Sequence, residues 1–295
     1  MAPNVVEHGS HMIMTNVHRE TKTKYVNIDT VFQQDNRESD CKSSVQCKLP
    51  QPITNVKSMK VVAGEIPVSF YNFSLQRKNT FFAYSKDGGI TRHVEKIDDG
   101  NYELNSLITI DSALTSLLTD LTFTIDQITN TMTIENTSTA NDYILYFNVD
   151  EDGNEDKYNF KTKLGWCLGF RSLQIEIKKS QIVESEGCLN LSPFRYLYLA
   201  IDDFSSSKTN SFITPSFQSY MNPNVLARIS LDPNAYRFGS VISVTYNGGK
   251  LCSDTRTYNG KTDIQRLHVQ LLDANGNQVD LNEMDFSFLL ELEYV

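Results

Sequence analysis

The chain has 295 residues, enough for one large β domain or two smaller ones. An apolar share of 40% and a charged share of 21% are those of a globular protein. The net charge of −9 and the lack of any basic run that could track a phosphate backbone argue against direct nucleic-acid binding, and no apolar run approaches the ~18 residues of a membrane-crossing helix.

No secretory leader is visible, and Gly9-Ser10-His11-Met12 reads as a cloning remnant, with Met12 or Met14 a candidate natural start. Residues 1–24 are therefore expected to be a tag remnant followed, over 13–24, by a flexible arm bearing His18, Arg19, Lys22 and Lys24. Tyr25 to Phe32 reads as a strand through Val26 and Ile28 and, less cleanly, Val31. A short strand over Val45–Leu49 should stop at Pro50 and Pro52, which cannot donate to a ladder. A long extended segment runs from Ile53 to Pro67, and Phe81–Tyr84 with Arg92–Ile97 predicts a hairpin around Asp87-Gly88-Gly89. The one convincing helix covers Glu103–Leu118. Leu107, Ile110, Leu114, Leu117 and Leu118 share a face, and Asn105 or Ser106 stands where a cap belongs.

Strands follow over Leu121–Ile125, Met132–Asn136 and Tyr143–Val149. Leu164-Gly-Trp-Cys-Leu-Gly-Phe170 predicts a close-packed bend with Trp166 and Phe170 buried. Tyr196–Ile201, Val225–Leu231 and Val241–Tyr246 are further strands. At the end, Leu267, Val269 and Leu271 alternate with polar residues, as do Phe286, Phe288, Leu290, Leu292 and Tyr294, with Asn275-Gly276 as a tight turn between the two runs. The last strand should be buried, closing a sandwich or barrel. The expected fold is all-β dominated: a single jelly-roll sandwich over 25–96 and 171–295, with a small helix-plus-strands α/β lobe inserted over 97–170.

Little in the chain carries chemistry. The cysteines at 41, 47, 167, 188 and 252 are odd in number and irregular in spacing, which fits reduced thiols rather than a zinc site, although Cys41 and Cys47 are close enough to bridge if oxidised. Apart from His8 and His11, the histidines are His18, His93 and His268, with no paired motif. Asp150-x-Asp152-Gly153-Asn154-x-Asp156 alternates oxygen ligands, but glycine is fourth and Lys161 stands at the twelfth position, so a solvated turn fits better than a Ca²⁺ loop. Asp202-Asp203 at a strand end is a carboxylate pair for which a turn cap is the better reading than acid/base work. The glycosylation-like triplets at Asn72, Asn136 and Asn190 read as chance matches. No catalytic residue, cofactor site or metal site is expected.

A set of segments in fixed order resembles a structural-protein family of the nucleocytoplasmic large DNA viruses, its minor capsid or penton components. The segments are Tyr25–Phe32, Ile53–Met59 with Gly64–Phe73, Asp99–Tyr102, Leu164–Arg171, Tyr196–Phe204, Val225–Leu231 and the terminal pair of strands. They span nearly the whole chain from Tyr25. The resemblance implies a virion protein with a jelly-roll core, made in the host cytoplasm, self-associating as a pentamer and touching the neighbouring major capsid protein. Major capsid proteins of these viruses carry two jelly rolls; this chain fits one roll with an insertion, and so a vertex or minor role. The competing expectation is a carbohydrate- or receptor-binding sandwich using Tyr220, Tyr236, Phe238, Tyr246 or Tyr258 as stacking platforms.

Overall fold

The computed structural model describes residues 4–8, 11–15, 20–32, 43–104, 106–156, 159–192, 194–209, 222–232 and 237–295. A hairpin of β1 (Asn4–His8) and β2 (His11–Thr15) precedes β3 (Lys22–Asp29) and the long β4 (Ser44–Pro67). Next come β5 (Phe81–Ser85), β6 (His93–Lys96), α1 (Ile110–Leu117), β7 (Leu121–Asp126), β8 (Thr131–Asn136) and β9 (Tyr143–Tyr146). They are followed by the single turn α2 (Leu164–Cys167), β10 (Gln174–Ile177) and β11 (Ile182–Glu184). The remaining strands are β12 (Tyr196–Asp202), β13 (Val225–Ser230), β14 (Val241–Thr245), β15 (Leu251–Ser253), β16 (Arg256–Leu272) and β17 (Ser287–Tyr294). No helix among the described residues is long and apolar enough to cross a membrane.

One compact unit runs through Ser69 and resumes over Phe194–Val295; the other is Phe70–Pro193. In the first, the ladders build two layers from strands that change partners along their length. One layer is β3, β17, the second half of β4, then β14. The other is the first half of β4, the second half of β16, then β12, β13 and β15. Along the chain the strands visit the layers in the order of an eight-stranded jelly roll, with β15 as an added edge. Side chains alternate accordingly: Phe288, Leu290, Leu292, Leu267, Val269, Leu271, Leu197, Leu199 and Ile201 are all buried between the layers.

β4 runs unbroken through Pro50 and Pro52, where a stop was expected. Its ladder with β16 jumps from Lys48↔Arg266 to Ile53↔Ile264, so both prolines fall in the unpaired stretch of a bulge, where no N–H is needed. β16 bulges in turn between Thr257 and Thr262, around Gly260 at φ 119°, a left-handed conformation that favours glycine. These two bulges let two long strands serve both layers. The terminal strands are buried as expected, and Gly276 sits at φ 85° in a local turn, but β16 and β17 do not pair. β17 instead lies between β3 and β4, and Tyr294 is only partly buried.

The N-terminal stretch also departs from the expected tag remnant followed by a free arm over 13–24. Asn4–His8 pairs antiparallel with His11–Thr15, and Lys22 to Lys24 belong to β3, which pairs from Lys22↔Tyr294 to Asp29↔Ser287. The partner strand supplies the order that local patterning lacks.

The second unit is wider than the 97–170 lobe expected. It takes in the β5–β6 hairpin because β5 pairs with β9, and Phe82 and Ile97 join the core of Leu145, Phe147, Leu164 and Phe170. Its sheets are β10-β9-β5-β6 and β11-β8-β7, and Thr115 Oγ1 accepts from the Phe123 N–H where α1 lies against β7. The helix is shorter than predicted. Thr109 precedes it, with its N–H donated to Ser112 Oγ (3.0 Å), while Ser106 Oγ donates to the carbonyls of Glu103 and Ile108 and holds a turn instead. Leu107 is consequently fully exposed. Asn105 lies outside the described residues. The bend at 164–170 is as tight as expected: a Cβ on Gly169, at φ 97°, would lie 2.2 Å from the Gly187 carbonyl oxygen. Phe170 is buried, but Trp166 is only partly so, with the Arg171 guanidinium 4.0 Å from its ring centroid.

Candidate functional site

The carboxylate pair at the end of β12 sits in a dense polar cluster of the first unit. The side chain of Asp203 is fully buried. Its Oδ2 accepts from Arg256 Nη1 at 2.8 Å and from the Tyr258 hydroxyl at 2.6 Å; its Oδ1 accepts from the Ser205 N–H at 2.9 Å and faces Lys208 Nζ at 3.4 Å. Arg256, 1% exposed, also donates to the carbonyls of Ile201 (2.6 Å) and Asn224 (2.9 Å). Asp202 accepts from Lys208 Nζ at 2.7 Å and from the Phe204 N–H at 3.0 Å. Burial, together with the neighbouring Asp203 charge, pushes the Tyr258 hydroxyl far above the ordinary phenol range. Burial also works against the charge on Asp202, but Lys208 and the Phe204 N–H outweigh it and hold that carboxyl below its usual value.

Every oxygen of Asp203 is already engaged by donors, and a base needs a free lone pair aimed at a substrate proton. The cluster does two things: each aspartate caps the turn that follows it, and Arg256 clasps β12, the start of β13 and β16. Turn capping was legible from the dipeptide; Arg256, Tyr258 and Lys208 were not. Arg256 and Tyr258 share one phase of a strand, and a buried polar phase there is the one signal that could have flagged them.

In the second unit the acidic turn is organised around a cation of the same chain. Lys163, 1% exposed, places its Nζ 3.0 Å from Asp156 Oδ2 and 5.4 Å from the Phe81 ring centroid. Asp150 Oδ1 accepts from the N–H groups of Asp152 and Asn154. Burial opposes ionisation of both Asp150 and Asp156. The Asn154 contacts at the first and Lys163 at the second overcome it and lower both carboxyls. Among the described residues no group of three or more His, Cys, Asp or Glu side chains is placed to hold a metal.

His93 stacks on Tyr84 (5.2 Å), and His268 Nε2 lies 3.0 Å from Ser44 Oγ; neither is joined to the carboxylate cluster. His18 and Cys41 lie outside the described residues, so the suggested Cys41–Cys47 bridge does too; Cys47, Cys167, Cys188 and Cys252 are free thiols. Asn72 and Asn136 are buried, each donating its amide to backbone carbonyls, so two of the glycosylation-like triplets are structural. Of the proposed stacking aromatics, Tyr258 is buried, Phe238 and Tyr246 are exposed, and Tyr220 and Tyr236 lie outside the described residues.

Among the described residues β3 is an edge strand, guarded by exposed Lys22 and Lys24. Val31, Phe32 and Met284 are exposed in the first unit; Leu107, Ile108 and Ile128 in the second.

The first unit is thus a single jelly roll, with the second inserted between β4 and β12. No protein-family model matches the sequence, and no curated protein matches it. Among solved structures, the chain is similar to the mavirus penton protein, with 10% identity and a TM-score of 0.43 over 93% of this chain and 100% of that one. It is also similar to a chain of the Sputnik virophage structure determined by cryo-EM, with 13% identity and a TM-score of 0.42 over 92% and 98%.

Proposed function

We propose that this chain is a structural protein of a virion, a minor capsid component, and specifically the penton at icosahedral vertices. It acts by self-association into a closed ring and by contact with neighbouring capsomers of the major capsid protein, after synthesis in the host cytoplasm. The observation that carries the reading is the single roll with one compact unit inserted between β4 and β12. A jelly roll alone also serves lectins and enzymes. The ordered resemblance to viral minor capsid proteins, from Tyr25 to the last strand, narrows it. The fully engaged Asp203 carboxylate supports a structural rather than a catalytic use of the carboxylate pair singled out. The test is immunogold labelling of purified particles. Label on the shell supports the reading; absence from particles, or turnover of a substrate by the pure protein, refutes it.

A further inference from the structure

The two outer faces of the roll carry opposite charge. On the layer of β3, β17, β4 and β14, the outward positions set by the ladders include Asp29, Glu65, Glu291 and Glu293, against Lys60, which pairs with Glu291 at 2.9 Å, and the exposed Lys57 in the bulge beside Glu293. Glu65 and Glu293 are exposed, each accepting from one serine hydroxyl, Ser287 and Ser58 respectively. On the other layer, register places Lys48 directly across from Arg266, then Gln46 across from His268, with Arg228 further along the face. Asp202 is the acid of these rows, and Lys208 neutralises it. Like charges directly opposite each other in a ladder cost stability. Lys48 and Arg266 are both exposed, and neither has an acidic partner among the described residues. An unneutralised basic pair is notable in a chain of net charge −9. Ala200 and Leu272, in the middle of that face, are buried, so the open part is the strip of Lys48, Gln46, Arg266 and His268 with Phe204 beneath the Arg266 guanidinium, 5.4 Å away.

We propose that the basic strip around Lys48 and Arg266 docks on the acidic face around Glu65 and Glu293 of a second copy of this chain. Charge complementarity selects the occupant and the geometry together. A two-fold dimer through either face would set like charges against like, whereas head-to-tail contact satisfies both faces and leaves each copy able to bind another, the condition for a ring. The inference rests on the proposed self-associating role and assigns it a surface.

The test uses the full chain in sedimentation velocity at high protein concentration, at low and high NaCl. Wild type should associate at low salt and less at high salt, as exposed charges are screened. Lys48→Glu with Arg266→Glu should weaken association by about tenfold, as should Glu65→Lys with Glu293→Lys, since each pair of substitutions turns attraction into repulsion. Both variants should keep the wild-type melting temperature. Mixing the two should restore association, because one then carries two acidic faces and the other two basic ones. Association of the variants equal to wild type, failure of the mixture to rescue, or a wild type that stays monomeric at low salt overturns the docking assignment. Particle labelling is unaffected by any of these results, so the structural role stands or falls separately.

Discussion

Arg256→Met is the sharpest probe of how the roll is held together. The substitution keeps an unbranched apolar stem but removes the donors to Asp203, Ile201 and Asn224. It leaves the buried Asp203 carboxylate without its closest cation. Breaking a buried ion pair by deleting one partner costs about 3–5 kcal/mol, because the other charge stays buried. Tyr258 and Lys208 still reach Asp203, which places the expected loss near the low end, about 3 kcal/mol. That is a large part of a domain's ordinary stability of about 5–15 kcal/mol. The assay is urea unfolding followed by far-UV circular dichroism, because the single Trp166 lies in the inserted unit and does not report on the roll. The double variant Asp203→Leu with Arg256→Met should be more stable than Arg256→Met alone, since it removes the orphaned charge as well. A loss below about 1 kcal/mol for the single variant, or a double variant that is worse, would refute the clasp.

Truncation after Met284 removes Phe286, Phe288, Leu290 and Leu292, all buried, each worth about 1.5–3 kcal/mol, and strips both β3 and β4 of a ladder. The truncated protein should be unfolded or insoluble, and an unchanged melting temperature would count against the buried-strand assignment. Gly169→Ala should cost at least about 2 kcal/mol, read as a drop in the melting transition monitored by Trp166 fluorescence, because the new methyl group meets the Gly187 carbonyl at a left-handed φ. Lys208→Met should move acid unfolding to higher pH. The Asp202 carboxyl is lowered in the fold, so its contribution is present above the ordinary carboxylate pKa of about 3.9 and disappears as pH falls through the lower folded value; removing Lys208 narrows that window from below. Identical acid limbs for variant and wild type would contradict the pairing.

How far the sequence reached follows from which forces are local. Period-two runs such as Leu267–Leu271 and Phe286–Leu292 exposed their buried faces directly, and the Asp202-Asp203 turn caps were readable from the dipeptide itself. Partner choice was not. Nothing near Phe82 says that β5 joins β9, and so the inserted unit begins at Phe70 rather than at residue 97. The prolines at 50 and 52 looked like a strand end because bulges depend on the register of a strand more than 200 residues away. The apolar spacing from Leu107 onward continued past the true helix start because Ser106 and Thr109 compete for the backbone, an effect periodicity does not register. The clasp joins residues from 201 to 258, and the Lys163 ammonium that organises the acidic turn lies outside the turn's own motif.

A penton has a fixed place in its particle. Cryo-EM density at the five-fold vertices of purified virions, resolved to the level of strands, tests it most directly. Five rolls should surround each vertex, each with β4 and β16 as its longest strands and the compact unit inserted between β4 and β12. Vertices built of a different fold, with this chain elsewhere or missing from the particle, would contradict it.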